Sequence, residues 1–290
     1  MTLRVEAVGA SVLVQDHGRP GWAHLGVPRS GALDRPAADL ANRLVGNPPD
    51  AACLVVLLGG LVVTAGQGLW VAVTGAPCEV DVDGRAEVFA GALRLPAGSR
   101  LSLGTPRAGL RSYVAVGGGV DVPPVLGSRS TDTLGRVGPA PVAAGDVLPV
   151  GAVGSPPAPL DTPRPPGRGP LRLSRGPRAD HVAGDVLALL ERTSYTVSPD
   201  SDRVGLRLVG DPLPLVRHTG SRPVAELPSE GMVLGAVQVP PDGRPVVFLA
   251  DHPTTGGYPV VAVVEPADLW QCAQLRPGER VPLTRAAARR

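Results

Sequence analysis

The chain has 290 residues, 43% apolar and 19% charged, with a formal net charge of +2. That is enough apolar material for one large core or two smaller ones, and it excludes a disordered chain. The basic residues form no dense cluster, which argues against nucleic acid. All 28 of them are arginine, which removes Schiff-base, lysine-base and P-loop chemistry.

In chain order, residues 3–14 alternate as one or two strands with a turn at Gly9-Ala10. A loop, Gln15 to Trp22, follows. Asp34 is placed to cap a helix whose first turn holds Pro36, whose apolar stripe is Leu40, Ala41, Leu44 and Val45, and which Gly46 closes. From 53 to 116, short apolar runs broken by Gly, Pro and Asp predict strands at 54–58, 69–74, 79–82, 92–95, 100–103 and 109–116. Such dense turns favour a barrel or sandwich over βαβ units. Residues 154–169 hold six prolines without apolar periodicity and read as a semi-rigid linker. The expected division is therefore a β-rich N-terminal subdomain over 1–153, the linker over 154–169 and a second subdomain over 170–290. In the latter, strands are expected at 171–173, 194–197, 204–209, 233–239, 246–250 and 260–264, and helices at 180–191 and 266–275. The class is mainly β, with about three short helices.

Six polar loops could carry chemistry, each with a plainer reading. Asp16-His17-Gly18-Arg19 offers acid, base and anion clamp, or a turn with a paired arginine. Arg29 and Ser30 lie before a helix N-terminus that suits an anion, or merely cap it. Ser128-Arg129-Ser130-Thr131-Asp132 sets hydroxyls around one guanidinium, or Asp132 merely neutralises Arg129; Ser198 to Arg203, with Ser201 between them, repeats that composition and both readings. Glu230 lies before the strand that carries Gln238; a glutamate beside glycine can serve as a general base, though an exposed acid in a turn is the commoner case. The sixth loop, Asp251-His252-Pro253-Thr254-Thr255-Gly256-Gly257-Tyr258-Pro259, interrupts two buried strands. It is either a hairpin whose glycines supply positive φ or a polar site on a rigid frame.

Cys53, Cys78 and Cys272 are odd in number and lack CxxC spacing, so neither a disulfide framework nor a zinc site is indicated; no metal site is expected. No apolar run reaches a membrane-spanning length and no basic leader precedes one, so a cytoplasmic, soluble protein without a membrane partner is expected. Arginine and hydroxyl-rich loops suit a small anionic substrate.

Seven stretches taken together resemble the biotin-dependent carboxyltransferase family, also called allophanate hydrolase subunit 2, whose members include the C subunit of 5-oxoprolinase. They are VQDHGRPGWAHLGVPRSGALD (14–34), LANRLVGNP (40–48), VTGAP (73–77), VAVGGGVDVPPVLGSRSTD (114–132), TVSPDSDRVGLRL (196–208), LPSEGMVLGAVQVPPDGRPVVFLADHPTTGGYPVVAVV (227–264) and ADLWQCAQLRPGERV (267–281). Two positions depart from the family pattern: Val55 stands where a glutamate is frequent, and His17 follows Asp16 where an apolar residue is usual.

The resemblance implies a cyclophilin-like β-barrel architecture. It also implies a part in an ATP-dependent 5-oxoprolinase that converts 5-oxo-L-proline to L-glutamate. The partners would be a PxpB/KipI-like protein and a PxpA-like protein, without which the chain would be inactive. ATP with Mg would be bound by the complex, and biotin would not be on this chain, which has no lysine to carry it. On this reading Asp251, Glu230 and Asp16 handle protons. The substrate would be held by Arg19, Arg29, Ser30, Arg129, Ser130, Ser198, Ser201, Arg203, Gln238, Thr254, Thr255, Gly256, Gly257 and Tyr258. The alternatives are a carboxyltransferase or allophanate hydrolase-type component of urea breakdown, and a non-catalytic regulator that binds the PxpB/KipI-like partner.

Overall fold

The computed structural model describes residues 1–154, 157, 167–216 and 227–287. Most of the expected linker lies outside the described residues. The chain falls into two compact units. The first is Met1–Pro20, Ser30–Asp132 and Arg136–Pro165; the second is Gly21–Arg29, Thr133–Gly135 and Pro166–Arg290. Division at the linker alone thus leaves out two short segments, 21–29 and 133–135, that group with the second unit.

The first unit holds β1 (Thr2–Val8), β2 (Ser11–Gln15), α1 (Arg35–Leu44), β3 (Cys53–Leu57), β4 (Leu61–Ala65), β5 (Leu69–Gly75), β6 (Val80–Val82), β7 (Arg85–Glu87), β8 (Ala92–Leu95), β9 (Arg100–Leu103), β10 (Arg111–Val116) and β11 (Val147–Pro149). They form a six-stranded sheet, β11-β1-β4-β9-β6-β7, and a five-stranded sheet, β2-β3-β10-β5-β8. The main core joins Val5, Leu61, Val63 and Leu101 of the first to Val12, Leu54, Val73 and Val114 of the second. Alternate residues of the five-stranded sheet, Val55, Ala72, Tyr113 and Ala115, face the other way and pack on Ala38, Ala41 and Leu44 of α1. This two-sided covering explains why β10 is buried at every position: side chains alternate across the pleat, and both faces have a partner. Asp34 caps α1 through Ala37 N–H at 3.0 Å, and its own N–H donates to the Tyr113 hydroxyl at 2.8 Å.

The second unit holds β12 (Leu171–Arg175), α2 (Val186–Arg192), β13 (Tyr195–Val197), β14 (Gly205–Val209), β15 (Glu230–Gly231), β16 (Ala236–Gln238), β17 (Val246–Phe248), β18 (Thr255–Gly256), β19 (Val260–Val264), α3 (Leu269–Cys272), β20 (Arg280–Val281) and β21 (Leu283–Arg285). Eight of the strands form one sheet in the order β20-β13-β14-β17-β16-β19-β12-β21. Its two edges, β20 and β21, are separated in the chain only by Pro282. A sheet whose opposite edges are one residue apart must curl round until they meet, so the unit is a nearly closed barrel. Proline suits the seam because it has no N–H to leave unpaired, while its carbonyl accepts from Leu171 N–H at 2.9 Å. Leu171, Leu173, Leu206 and Leu208 are buried and alternate with exposed Arg172 and Arg207; each buried leucine contributes roughly 1.5–3 kcal/mol.

Three expectations change. The helix expected at 180–191 is a 3-10 turn at Ala179–His181 followed by α2. Gly184 at φ 89° breaks the run, and Asp185 restarts it by accepting from Leu187 and Ala188 N–H. The helix expected at 266–275 shortens to a 3-10 turn, Pro266–Asp268, and α3. The strands expected at 233–239 and 246–250 contract to β16 and β17.

The Asp34 cap yields a prediction. Asp34→Ala should lower the urea-unfolding free energy by about 1 kcal/mol, and Asp34→Ser should lose only a few tenths. Equal losses in the two variants would show that the cap hydrogen bond is not what Asp34 contributes.

Candidate functional site

In the second unit, Asp251 has no exposed surface and Arg203 is 6% exposed. They form a two-pronged ion pair, Arg203 Nε to Asp251 Oδ2 at 2.8 Å and Nη2 to Oδ1 at 3.0 Å. Thr133 adds two donors to Oδ2, its N–H at 3.0 Å and its hydroxyl at 2.7 Å. The backbone closes the arrangement, with Asp251 N–H donating to Arg203 O at 3.0 Å. Burying both charges is costly, and only this density of charge-assisted bonds offsets it.

The segment after Asp251 is not a hairpin. β17 and β19, which flank it, are not neighbours; β16 lies between them in the sheet. The loop instead lends β18 to a separate two-stranded ribbon with β15, pairing Glu230 with Gly256 and Gly231 with Thr255. Its two glycines are not there for positive φ, since neither is in that region. Gly256 is required by space: a Cβ there would lie 2.8 Å from Gln238 Nε2 and 3.3 Å from Met232 Cγ. Gln238 in turn donates to Tyr258 O at 3.0 Å, and Leu227 N–H donates to Gly257 O at 2.8 Å.

His252 is buried, stacks on Phe248 with ring centroids 5.8 Å apart, and holds Pro253 O through Nδ1 at 2.7 Å. A carbonyl can only accept, so Nδ1 carries the proton. Burial is the main cause holding the imidazole below its ordinary value of 6.5, and the positive charge of Arg29 acts in the same direction. Arg29 is thus brought within electrostatic reach of the loop, as the grouping of 21–29 with this unit requires. Glu230 is held by the Arg178 guanidinium, with Nε at 2.9 Å from Oε1; that hydrogen bond keeps its carboxyl below the usual range. Ser198 and Ser201 shape their own turn: Ser198 Oγ accepts from Asp200 N–H at 3.2 Å, and Ser201 Oγ from Arg207 N–H at 3.0 Å. The side-chain hydroxyls of Thr254, Thr255 and Tyr258 bond to no other described residue.

In the first unit Asp16 is a second gathering point. Its Oδ1 accepts from Gly18 N–H at 2.7 Å and from the Ser128 and Ser130 hydroxyls, each at 2.6 Å. Oδ2 accepts from Arg129 N–H at 2.6 Å. Arg19 is 1% exposed and donates to the Ser130 carbonyl. That approach needs Gly138, where a Cβ would sit 2.1 Å from Ser130 O. The Arg129 side chain pairs with Asp121 at 2.7 Å, and His17 with Asp39 at 2.7 Å. Ser30 is buried with φ 52°, and Ala32 N–H donates to Asp16 O at 2.9 Å. The N-terminus of α1 is occupied by Asp34.

The structure therefore sorts the residues expected from sequence into two groups. Arg203, Glu230, Gln238 and Thr254 to Tyr258 gather at the Asp251 loop, with Arg29 in electrostatic reach; Arg19, Ser128, Arg129 and Ser130 gather at Asp16. Thr133 and Arg178 were missed. Thr133 directly follows the Ser128–Asp132 motif and carries no signal beyond that adjacency. Arg178 lies far in sequence from the glutamate it holds. Cys53 and Cys272 are buried, and burial pushes both thiols up to about 12, which removes them as nucleophiles. No group of three metal-ligating side chains occurs among the described residues, and no described helix is long and apolar enough to cross a membrane.

Comparison with known proteins gives a consistent picture. The chain matches the family model of the carboxyltransferase domain, subdomain A and B, over residues 25–285. It is 38% identical to the C subunit of 5-oxoprolinase from Escherichia coli (strain K12), covering 96% of this chain and 89% of that protein. The crystal structure of TTHA0988 superposes with a TM-score of 0.86 at 40% identity, over 98% of this chain. The urea carboxylase of Kluyveromyces lactis superposes with a TM-score of 0.90 at 29% identity, over 99% of this chain. The chain spans 55% of TTHA0988 and 27% of the urea carboxylase.

The ion pair and the buried imidazole can each be tested by unfolding. Asp251→Ala strands a buried guanidinium and should destabilise the protein by about 3–5 kcal/mol. The double variant Arg203→Met with Asp251→Leu should recover much of that loss in urea unfolding. For His252, the folded value lies below the unfolded 6.5, so the unfolded chain takes up that proton first as pH falls. Its contribution is therefore neutral above that value and destabilising below it. Urea midpoints measured from about pH 7.5 to pH 5 should fall less steeply in His252→Gln than in the native chain. Parallel curves would show that His252 does not carry this pH dependence.

Proposed function

Since this chain belongs to the carboxyltransferase-domain family, subdomains A and B, we propose that it is the C subunit of an ATP-dependent 5-oxoprolinase, acting with PxpA-like and PxpB/KipI-like partners to convert 5-oxo-L-proline to L-glutamate. The observation that carries this is the near full-length match to the Escherichia coli protein, 89% of which the chain covers. Opening an unstrained lactam is difficult, and coupling to ATP is chemically sensible. The described residues of this chain offer no cluster for a divalent cation and the chain has no lysine. This reading therefore places ATP and Mg in the assembled complex. A cytoplasmic location goes with it.

Within this proposal the residues divide by what their neighbours leave free. Asp251, Glu230 and Asp16 already accept from guanidinium, hydroxyl or backbone donors. In this reading the three acids set loop geometry ahead of any proton transfer, and the Arg178 guanidinium holds the Glu230 carboxyl below the usual range. The Thr254, Thr255 and Tyr258 hydroxyls are the groups offered to an anionic or amide ligand, with Arg29 supplying positive potential. They sit on a loop pinned at its base by Asp251 and at its side by β15, the preorganisation that a binding rim needs.

The experiment is reconstitution. The purified PxpA-like and PxpB/KipI-like partners together with this chain should form glutamate from 5-oxoproline only when ATP is present, and leaving this chain out should abolish turnover. No turnover from the complete set would refute the assignment. Thr255→Val and Tyr258→Phe should each raise KM by about tenfold with little change in kcat, as loss of a hydrogen bond to a charged ligand predicts.

A second reading is supported by the likeness to the Kluyveromyces lactis urea carboxylase: a carboxyltransferase component of urea breakdown. Without a lysine the chain would need a biotinylated carrier supplied by another protein. Urea-dependent carboxyl transfer from such a carrier, with no 5-oxoproline turnover, would establish it. A third, a regulator, would show stable capture of the PxpB/KipI-like partner with neither activity.

A further inference from the structure

The second unit has a cavity of about 390 Å³ beside the seam where β20 and β21 close the barrel, lined by β20 and Pro282, by the start of β12 and by Gln271 of α3. The Asp251 loop enters β19 at Val260, whereas Leu171 of the cavity wall lies beyond the Leu173–Val264 pair at the opposite end of that strand. The cavity's size falls at the low end of small-molecule sites, about 300–1,000 Å³.

Three features make it a built site. Gln271 lines it and is 5% exposed. Its side-chain oxygen accepts from Gly169 N–H at 2.8 Å. A backbone N–H can only donate, so the oxygen end of that amide is fixed, and the NH2 end is left as a donor with no acceptor among the described residues. Arg168 and Glu279 neutralise each other at 2.9 Å, whereas Arg280 also lines the cavity and has no acceptor for its guanidinium among the described residues. Leu171, Leu275 and Val281, all buried, supply an apolar wall.

We propose that this seam cavity is a second ligand site, one that takes a small carboxylate with a compact apolar body, its charge met by Arg280 and the Gln271 amide and its hydrocarbon by the leucine and valine wall. A charge-assisted guanidinium contact and a fixed amide donor reward a carboxylate over a neutral molecule. The apolar wall rewards it over a bare inorganic anion.

The test uses the full chain and isovalerate as probe, followed by calorimetry and by saturation-transfer NMR. Saturable binding is expected, weakened about tenfold by Arg280→Gln and by Gln271→Leu. It should be unchanged by Arg107→Gln, which removes an exposed arginine of the first unit, and by Thr255→Val. Inorganic phosphate and isovaleramide should each bind at least tenfold more weakly than isovalerate. Gln271 is buried, so if its variant does not fold, Arg280→Gln alone decides. No saturable binding, binding indifferent to Arg280→Gln, or phosphate binding as well as isovalerate would overturn the proposal. Binding is read without turnover, so failure here leaves the 5-oxoprolinase reading untouched, and failure of reconstitution leaves this one untouched.

Discussion

A carboxylate with no exposed surface is costly to place in a protein, and Arg203 and Thr133 converge on Asp251 with charge-assisted donors that offset the cost. Arg203 comes from the turn before β14, Asp251 from the end of β17, and Thr133 from a chain segment far earlier in sequence. The β14–β17 pairing already aligns the first two and continues through Leu249 N–H to Val204 O and Asp251 N–H to Arg203 O; what the charge adds is Thr133, which no ladder ties to them. Everything downstream depends on that anchor: the exit angle of the chain after β17, the stacking of His252 on Phe248, and the pairing of β18 with β15. A neutral residue of the same shape would fill the volume but would not specify which donors must be present.

Asp16 works by the same logic in the first unit. Its two oxygens collect two hydroxyls and two backbone N–H groups, tying the 16–18 turn to the 128–130 turn. In both units an acid that the sequence marks as chemically active accepts bonds from residues distant in the chain. On the Asp251 loop, the Thr254, Thr255 and Tyr258 hydroxyls have no partner among the described residues. Such division of labour is expected where a ligand is bound by polar contacts at a loop: charged residues are secured first, and neutral donors, cheap to leave in water, are presented.

Much of this was legible in the chain. Dense glycine and proline punctuation read correctly as short strands, and Ala92–Leu95, Arg100–Leu103 and Val260–Val264 match their expected spans. β4 and β7 went unseen. β4 sits against a Leu58-Gly59-Gly60 turn that masks its start, and β7 is a three-residue exposed strand without apolar alternation. The 180–191 stripe was real as burial but wrong as one helix, because periodicity does not register a glycine at positive φ. The Asp251 loop shows the deeper limit. Two buried strands joined by nine polar and small residues look like a hairpin in one dimension; only sheet order, which places β16 between them, rules it out. Likewise, which donors reach Asp251 is a property of tertiary packing, and Thr133 carries no mark of it.

The seam at Pro282 sets an order of events. β12 needs β21 as its neighbour, pairing Leu171 with Leu283, and β13 needs β20. The strands opening the barrel therefore wait for almost the last ones in this chain before either edge is satisfied. During synthesis the second unit must pass through an interval as an open sheet with two unpaired edges, and its closure, dominated by distant pairings, is intrinsically slow. The first unit has no such dependence on residues beyond 150 for its sheets. Folding is thus expected to proceed as a finished sandwich followed by a late-closing ring, and the ring's open interval is when the protein is most exposed to misassembly.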